Sequence, residues 1–415
     1  MKKQLLHTPE GVRDIYGSEY ERKLALQDLL YDQLKLYGYQ DIQTPTFEFF
    51  DIFSSKIGTV PSNELYKFFD KEGNTLVLRP DFTPSIARAT AKYFMDETMP
   101  IRFCYVGNNY CNTNDLQGRL KETTQIGAEL ISDGTVEADA EIISLVISSL
   151  KRTGLKDFQI SVGNVEFFKG LCAEYGIDDE MELTLRDFIS SKNYFGMEDI
   201  LDEMNIDESV KQTFLKISEL FGGIESMAQA KTLVSNQRSI KAVERLEELY
   251  HILTLYGLEK YVSFDLGMLS KYHYYTGIVF RAYTYGNGDA IAKGGRYDSL
   301  LNEFGKKAPA IGFGMVIDHL AFALSRQNIE IETERKKSTL VIYDKEQIKS
   351  AIQCADLLRA KGYSATMLLR EQLSDEKTYT DSQNINFIYT IKSADKVYVN
   401  SVDEKTGSEV AICDI

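Results

Sequence analysis

The chain has 415 residues, enough for two or three domains that each bury a core of their own. With 43% hydrophobic and 26% charged residues its composition is that of a globular protein, and the absence of any run of about 18 apolar residues excludes a predicted membrane span. A formal net charge of −15 disfavours nucleic-acid binding, because surfaces that hold phosphates are usually basic. The first residues lack a long apolar stretch, so we expect a soluble cytoplasmic protein.

The first part of the chain predicts alternating helices and strands. Leucines at near-helical spacing over 19–37 predict a helix that stops at Gly38. The segment "YQDIQTPTFEFFDIF" predicts a strand whose Pro45 marks an edge, a strand end or an interface. The further predictions here are a strand over 75–78, a helix that begins near Pro84, a strand in "IRFCYVGNNYC", a helix over 138–150 and a strand in "FQISVG".

The second part of the chain divides into an insert, a return of strands and a tail. Residues 166–260 are acidic and leucine-spaced, which predicts a helical insert. Strand signals return in "YVSFDLG", "YYTGIVFRAYTYG" and "AIAKGGRYDSLL", and a helix is predicted over 315–326. The polar stretch 327–338 is typical of a linker. We therefore predict a core domain over 1–326 and a small α/β domain over 338–415, where β and α signals alternate.

Polar side chains cluster at predicted strand ends between residues 78 and 130. Gln125 and Glu129 lie four residues apart and so share one face of a strand. The same parity places Asp81 and Thr83 on a common side if the chain there is extended. Two carboxylates and an amide that converge would form an ammonium pocket, since an α-amino group offers three donors. Any one of these residues alone is more simply interpreted as a solvated strand end.

Two later segments add candidates for the same pocket. Tyr274 and Tyr275 are consecutive in a predicted strand, so one of them must face inward, although sheet packing alone would also explain the pair. In "KGGRYD" two glycines would let a ligand approach the backbone, with Arg296 able to order the turn. Neither the four histidines nor the five cysteines have metal-binding spacing, so we predict no metal site, no disulfide framework and no catalytic histidine.

In this order the segments resemble the catalytic core of a class II aminoacyl-tRNA synthetase, specifically histidyl-tRNA synthetase. The similar segments, which span residues 5 to about 325, are "TPEGVRD" at the start, "GYQDIQTPTFE" for the dimer-interface motif, "LVLRPDFTPSIAR" for amino-group binding, "YCNTNDLQGRLKETTQIGAEL" for the ATP-gripping loop, "YYTGIVF" and "GGRYD" for histidine specificity, and "PAIGFGMVIDHL" for the third motif. The resemblance implies an α+β fold with an antiparallel sheet flanked by helices. It also implies an amino-acid pocket formed by Asp81, Thr83, Arg119, Gln125, Glu129, Tyr274 and Tyr275.

The chain departs from this family at three phosphate-directed arginines. Cys111 replaces the arginine that holds the α-phosphate, Ser270 the one that assists activation, and His319 the one that ends the third motif. A hydrogen bond to a charged group contributes about 1.5–3 kcal/mol, so losing three costs about 5–9 kcal/mol of transition-state binding. We therefore expect adenylate formation to be lost while the amino-group side of the pocket is kept.

A retained pocket without catalysis resembles the regulatory subunits of ATP phosphoribosyltransferase, which are paralogues of the synthetase. That resemblance implies a non-catalytic protein without a cofactor, a short-form catalytic subunit as partner, and histidine as feedback effector at the first step of histidine biosynthesis. It also implies a homodimer within the complex and makes tRNA binding unlikely. It leaves open whether histidine binds in the synthetase-like pocket or at the subunit interface. A divergent histidyl-tRNA synthetase and a stand-alone amino-acid-binding module remain as alternative interpretations.

Overall fold

The computed structural model describes residues 6–53, 60–113, 119–204, 206–269, 274–333, 337–402 and 406–415. Residue contacts divide the chain into two compact units, Met1–Glu332 and Thr333–Ile415. The sequence predictions that concern Gly118 and Ser270 lie outside the described residues. No helix among the described residues is both long enough and apolar enough to cross a membrane.

The larger unit contains helices on both sides of its main sheet. Its helices are α1 (Gly17–Leu36), α2 (Thr83–Tyr93), α3 (Val136–Arg152), α4 (Val165–Glu174), α5 (Asp179–Ser190), α6 (Tyr194–Glu203), α7 (Glu208–Ile217), α8 (Glu225–Thr232), α9 (Gln237–Leu255) and α10 (Ile317–Arg326). Its strands are β1 (Gln40–Asp41), β2 (Phe47–Phe49), β3 (Lys67–Phe69), β4 (Thr75–Leu78), β5 (Ile101–Tyr110), β6 (Glu122–Ile131), β7 (Phe158–Asn164), β8 (Phe221–Gly222), β9 (Val262–Asp265), β10 (Ile278–Thr284), β11 (Ala292–Arg296) and β12 (Ala310–Val316).

The main sheet has the strand order β1-β5-β6-β12-β11-β10-β7-β9-β8. Its centre, from β5 through β7, is antiparallel, whereas β1 pairs with β5 and β9 with β7 in parallel. The predicted α+β class with an antiparallel sheet is therefore confirmed, with parallel pairs only towards its edges. Strands β2, β4 and β3 form a separate small antiparallel sheet.

The two faces of the main sheet have different roles because side chains alternate along each strand. In β6, Ile126, Ala128 and Leu130 pack against leucines of α1 and against α3 in the larger core. Gln125 and Glu129 therefore point to the opposite face, which is covered by a second cluster that includes Phe82 of the β4–α2 turn. The candidate pocket lies on this second face.

Local predictions succeed where periodicity is strong and fail near turns. The helix predicted over 19–37 is α1, and Gly38 after it has a φ of +82°, a left-handed value that glycine adopts at little cost. The strand placement of Tyr274 and Tyr275 is wrong, because both precede β10, which begins at Ile278. Both rings are nevertheless buried, so Tyr274 and Tyr275 do not alternate between an inward and an outward side as consecutive strand residues would.

The smaller unit is an α/β layer of its own. Its strands β13 (Ser338–Tyr343), β14 (Ser364–Leu369), β15 (Phe387–Ile391), β16 (Lys396–Ser401) and β17 (Gly407–Ala411) are accompanied by α11 (Ile348–Ala360) and α12 (Glu376–Gln383). The order is β14-β13-β15-β16-β17, with β13 parallel to both neighbours. Leu340 and Ile342 face one apolar cluster and Val341 faces another, so this sheet is covered on both sides.

Candidate amino-acid pocket

Two glycines of β12 make room for the polar side chains of β6. A Cβ atom on Gly312 would lie 1.6 Å from Glu129 Oε2, and one on Gly314 would lie 2.0 Å from Gln125 Nε2. Both distances are far below van der Waals contact, so only glycine is compatible with the observed geometry. The side chains of Gln125 and Glu129 therefore extend across β12 on one face of the sheet, as their separation of four residues predicted.

The pocket itself is a cavity of about 160 Å³. Its volume is smaller than the roughly 300–1,000 Å³ of sites for drug-sized ligands and suits a single amino acid. Of the predicted pocket residues, the structure brings together around this cavity Asp81, Thr83, Gln125, Tyr274 and Tyr275. Glu129 lies directly behind the cavity wall, with no exposed surface.

Glu129 is a buried carboxyl group whose two oxygens are both engaged. Thr83 Oγ1 donates to Oε1 at 2.8 Å, and the Tyr297 hydroxyl donates to Oε2. Burial raises the pKa of Glu129 to about 8, and the two hydroxyl groups only partly offset this effect. Tyr297 belongs to the "GGRYD" segment but was not assigned to the pocket, because nothing local in the sequence indicates its distant carboxylate partner.

Asp81 supplies the second carboxyl group from a turn. It lies between β4 and α2, where the chain is not extended, so the condition for Asp81 and Thr83 to share a side of a strand is not met, although both side chains line the cavity. The backbone N–H of Phe82 donates to Asp81 Oδ1 at 2.7 Å. Burial raises the pKa of Asp81 to about 6, so this group is largely ionised at pH 7 and is the anionic acceptor of the cavity.

Asn109 is a cavity residue that the sequence reasoning missed. It lies near the end of β5, is 6% exposed, and its Nδ2 donates to Gln125 Oε1. Gln125 Nε2 in turn donates to the hydroxyl of Tyr105 at 2.8 Å. The sequence signal for this contact was the alternation of side chains along β5, which pairs with β6. Side chains on the same face of two neighbouring strands contact one another, so Asn109 would be expected near Gln125.

The predicted phosphate side of the pocket is built differently from the amino-group side. Cys111 and His319 line the cavity at the positions where the resembled synthetases have arginines. Arg119, the remaining predicted arginine, is not among the residues that line the cavity. Its guanidinium lies 3.7 Å from Asp289 and its side chain is 54% exposed. Lys293 is a cationic side chain that lines the cavity.

Arg296 contacts the turn that follows the double glycine, where its Nη1 atom donates to Asp298 Oδ1 at 3.2 Å. It is 2% exposed and pairs with the fully buried Asp139 of α3, which also pairs with Arg245 of α9. Gly294 and Gly295 both line the cavity, and Gly295 lies against Tyr275, where a Cβ atom would be 2.7 Å from ring atom Cε1. The segment therefore fixes β11 to α3 and packs an aromatic wall of the cavity.

Comparison with known proteins identifies the class to which this fold and pocket belong. A family model described as histidyl-tRNA synthetase matches residues 11–320. A structure of histidyl-tRNA synthetase from Nostoc sp. PCC 7120 shares the fold with a TM-score of 0.79 at 20% identity, covering 98% of this chain and 97% of the other. The larger unit is thus a histidyl-tRNA synthetase-like domain.

Relatives with higher sequence identity define the family more closely. An ATP phosphoribosyltransferase regulatory subunit of Acetivibrio thermocellus is 39% identical over 411 residues, covering 99% of this chain and 98% of the relative. That of Ruminiclostridium cellulolyticum is 40% identical over 417 residues, with 99% of each chain covered. A structure described as an ATP phosphoribosyltransferase regulatory subunit/histidyl-tRNA synthetase from Bacillus halodurans C has a TM-score of 0.82 and 32% identity over 93% of this chain and 98% of the other. The chain belongs to the family of ATP phosphoribosyltransferase regulatory subunits.

Proposed function

We propose that this protein is a non-catalytic regulatory subunit of ATP phosphoribosyltransferase at the first step of histidine biosynthesis. Similarity over nearly the full length to regulatory subunits carries the proposal. The partner is a short-form catalytic subunit, whose activity depends on this chain, and histidine is the feedback effector. The acidic net charge of −15 gives no support to tRNA binding.

The composition of the cavity supports the loss of synthetase chemistry. Transfer of an adenylate requires cations that stabilise charge developing on the α-phosphate. Cys111 and His319 occupy that side, and burial raises the pKa of the Cys111 thiol to about 11, so the thiol is neutral. A neutral thiol cannot replace a guanidinium that holds a phosphate through two parallel hydrogen bonds.

The amino-group side supports histidine as the ligand. Asp81 offers a carboxylate and Thr83 a hydroxyl to an α-ammonium group, in a cavity large enough for one amino acid. Lys293 and His319 lie on the same cavity and are suited to the ligand carboxylate. If histidine bound here opposes the conformation that activates the catalytic subunit, the same coupling free energy must weaken histidine binding when the catalytic subunit is active.

The small sheet supports a homodimer within the complex. Phe47 and Phe49 of β2 are 51% and 55% exposed; Phe47 belongs to the segment that resembles the synthetase dimer motif, and Phe49 follows directly after it. The Phe68 ring of β3 lies 5.7 Å from that of Phe47, so the exposed rings form one apolar surface. Contiguous apolar surface of this kind marks an interaction site, and a second copy of this chain is the occupant we propose.

Mixing the chain with the short-form catalytic subunit of the same organism tests the proposal. We expect a larger complex in size-exclusion chromatography, a rise in phosphoribosyl-ATP formation, and inhibition of that rise by histidine. Separate elution at micromolar concentration, with a catalytic subunit fully active alone, would refute the regulatory role.

A second assay separates the divergent-synthetase alternative. Histidine-dependent exchange between pyrophosphate and ATP should be absent from the purified chain. Exchange at one hundredth of an ordinary synthetase rate or above would favour the synthetase interpretation instead.

A further inference from the structure

We infer that Asn109 binds the ammonium group of the pocket ligand through its Oδ1 atom, together with Asp81, and that Glu129 does not bind it directly. This inference rests on the proposed amino-acid binding in the cavity and deepens it. Asn109 lines the cavity and is 6% exposed. Its Oδ1 atom is buried and has no hydrogen-bond partner among the described residues.

A relay of hydrogen bonds fixes which atom of Asn109 is free. At its far end lies the backbone carbonyl of Phe313, which can only accept, and the Tyr105 hydroxyl donates to it at 3.4 Å. Having donated its proton, the Tyr105 oxygen accepts from Gln125 Nε2. Gln125 Oε1 is then left to accept from Asn109 Nδ2. The relay therefore leaves Oδ1 as the atom of the Asn109 amide that has no partner among the described residues.

A buried acceptor of this kind selects for ligands that carry a donor. Leaving an amide oxygen unpaired inside a protein is costly, so a ligand that supplies an N–H there gains affinity over one that does not. Asp81, on the same cavity, adds the negative charge that favours an ammonium over a neutral donor. The ligand class is therefore a small primary amine, and an α-amino acid fits the volume.

Glu129 has no comparable capacity. Thr83 and Tyr297 already donate to its two oxygens, and unlike Asn109 it is not among the residues that line the cavity. Its place behind the wall makes it a positioning residue that orients the Thr83 hydroxyl. The ammonium acceptors thus change from Asp81, Gln125 and Glu129, expected from the sequence, to Asp81 and Asn109.

The test compares histidine with its analogue that lacks the α-amino group, 3-(imidazol-4-yl)propionate, by calorimetric titration of the full chain. The wild-type protein should prefer histidine. Asn109→Leu should reduce this preference by about 10- to 100-fold, since a hydrogen bond to a charged group is lost. Asn109→Asp keeps an acceptor at the same place and should keep the preference. Tyr105→Phe removes the relay without altering a cavity-lining residue and should reduce the preference in the same direction.

The neighbouring Asn108 provides a matched control. It is on the other face of β5, where its Nδ2 donates to Glu122 at 2.6 Å, and it does not line the cavity. Asn108→Leu should leave the preference unchanged. If Asn109→Leu does not fold, Asn109→Ser removes the amide with less bulk and must show the same loss.

Three outcomes distinguish a failure of this inference from a failure of the proposed amino-acid binding in the cavity. A wild-type protein that binds histidine, with an unchanged preference in the Asn109 variants, overturns this inference and leaves the proposed function intact. A wild-type protein that binds neither compound overturns both the inference and the pocket as the histidine site. An equal loss of preference in Asn108→Leu and Asn109→Leu also overturns the inference, because the effect would then be unspecific.

Discussion

Replacing Glu129 with glutamine removes a carboxyl group from the interior while keeping its shape. The Tyr297 and Thr83 hydroxyls can both remain hydrogen-bonded to the amide, since each hydroxyl can donate or accept. What the substitution changes is the difference in bound protons between the folded and the unfolded state. The pKa of Glu129 is raised from 4.5 to about 8 in the folded chain, so between these values the folded state holds one proton more than the unfolded state.

The sign and size of the effect follow from this difference. Stability that Glu129 contributes at low pH is lost as pH rises through its raised pKa, because burying the charged form is unfavourable. For a pKa of about 8 against an ordinary value of 4.5, the wild-type unfolding free energy falls by about 2 kcal/mol between pH 6 and pH 8 from this group alone. Glu129→Gln lacks this loss, so relative to wild type it gains about 2 kcal/mol over that interval.

Urea unfolding of both proteins at pH 6, 7 and 8 measures the difference. Contributions of the smaller unit are present in both proteins and cancel, whereas the repulsion between Asp81 and Glu129 is part of what raises the pKa of Glu129 and is removed with it. Glu303→Gln, which changes an exposed glutamate of the same unit, serves as the control and should show no trend with pH. A constant difference between Glu129→Gln and wild type across the three pH values would refute the argument that Glu129 is buried and protonated near neutrality.

Three further predictions concern the packing around the pocket and the proposed dimer. Asp139→Asn should lower the unfolding free energy by about 3–5 kcal/mol in chemical denaturation, because it removes the buried carboxylate that pairs with Arg296 and leaves this buried guanidinium only the longer pair with the partly exposed Asp298. Gly312→Ala should prevent folding or abolish histidine-induced thermal stabilisation, since its Cβ atom would lie 1.6 Å from a buried carboxylate oxygen, whereas Gly288→Ala, with nothing within 4 Å, should behave as wild type. Phe49→Asp should shift the protein towards monomer in analytical ultracentrifugation without lowering its melting temperature, because the ring is 55% exposed in one chain.

Much of the architecture was readable from sequence because it depends on short periods. The leucine spacing predicted the helix α1, although only the structure shows that Leu26 and Leu30 face the core. The alternation of β6 also fixed a face, because it turns Gln125 and Glu129 away from that core. The ordered motifs also fixed the family. These features can be predicted without knowing which residues lie opposite them in the folded chain.

The chemistry of the pocket depended on partners that are distant in the chain. Glu129 meets Thr83, 46 positions away, and Tyr297, 168 positions away. The same is true of the relay that leaves Asn109 Oδ1 free. A hydrogen bond requires its two atoms within about 3 Å, and only the folded chain brings such atoms together. The sequence therefore determined which residue types face the cavity, while the tertiary structure decided which of their atoms are already engaged and which remain available to a ligand.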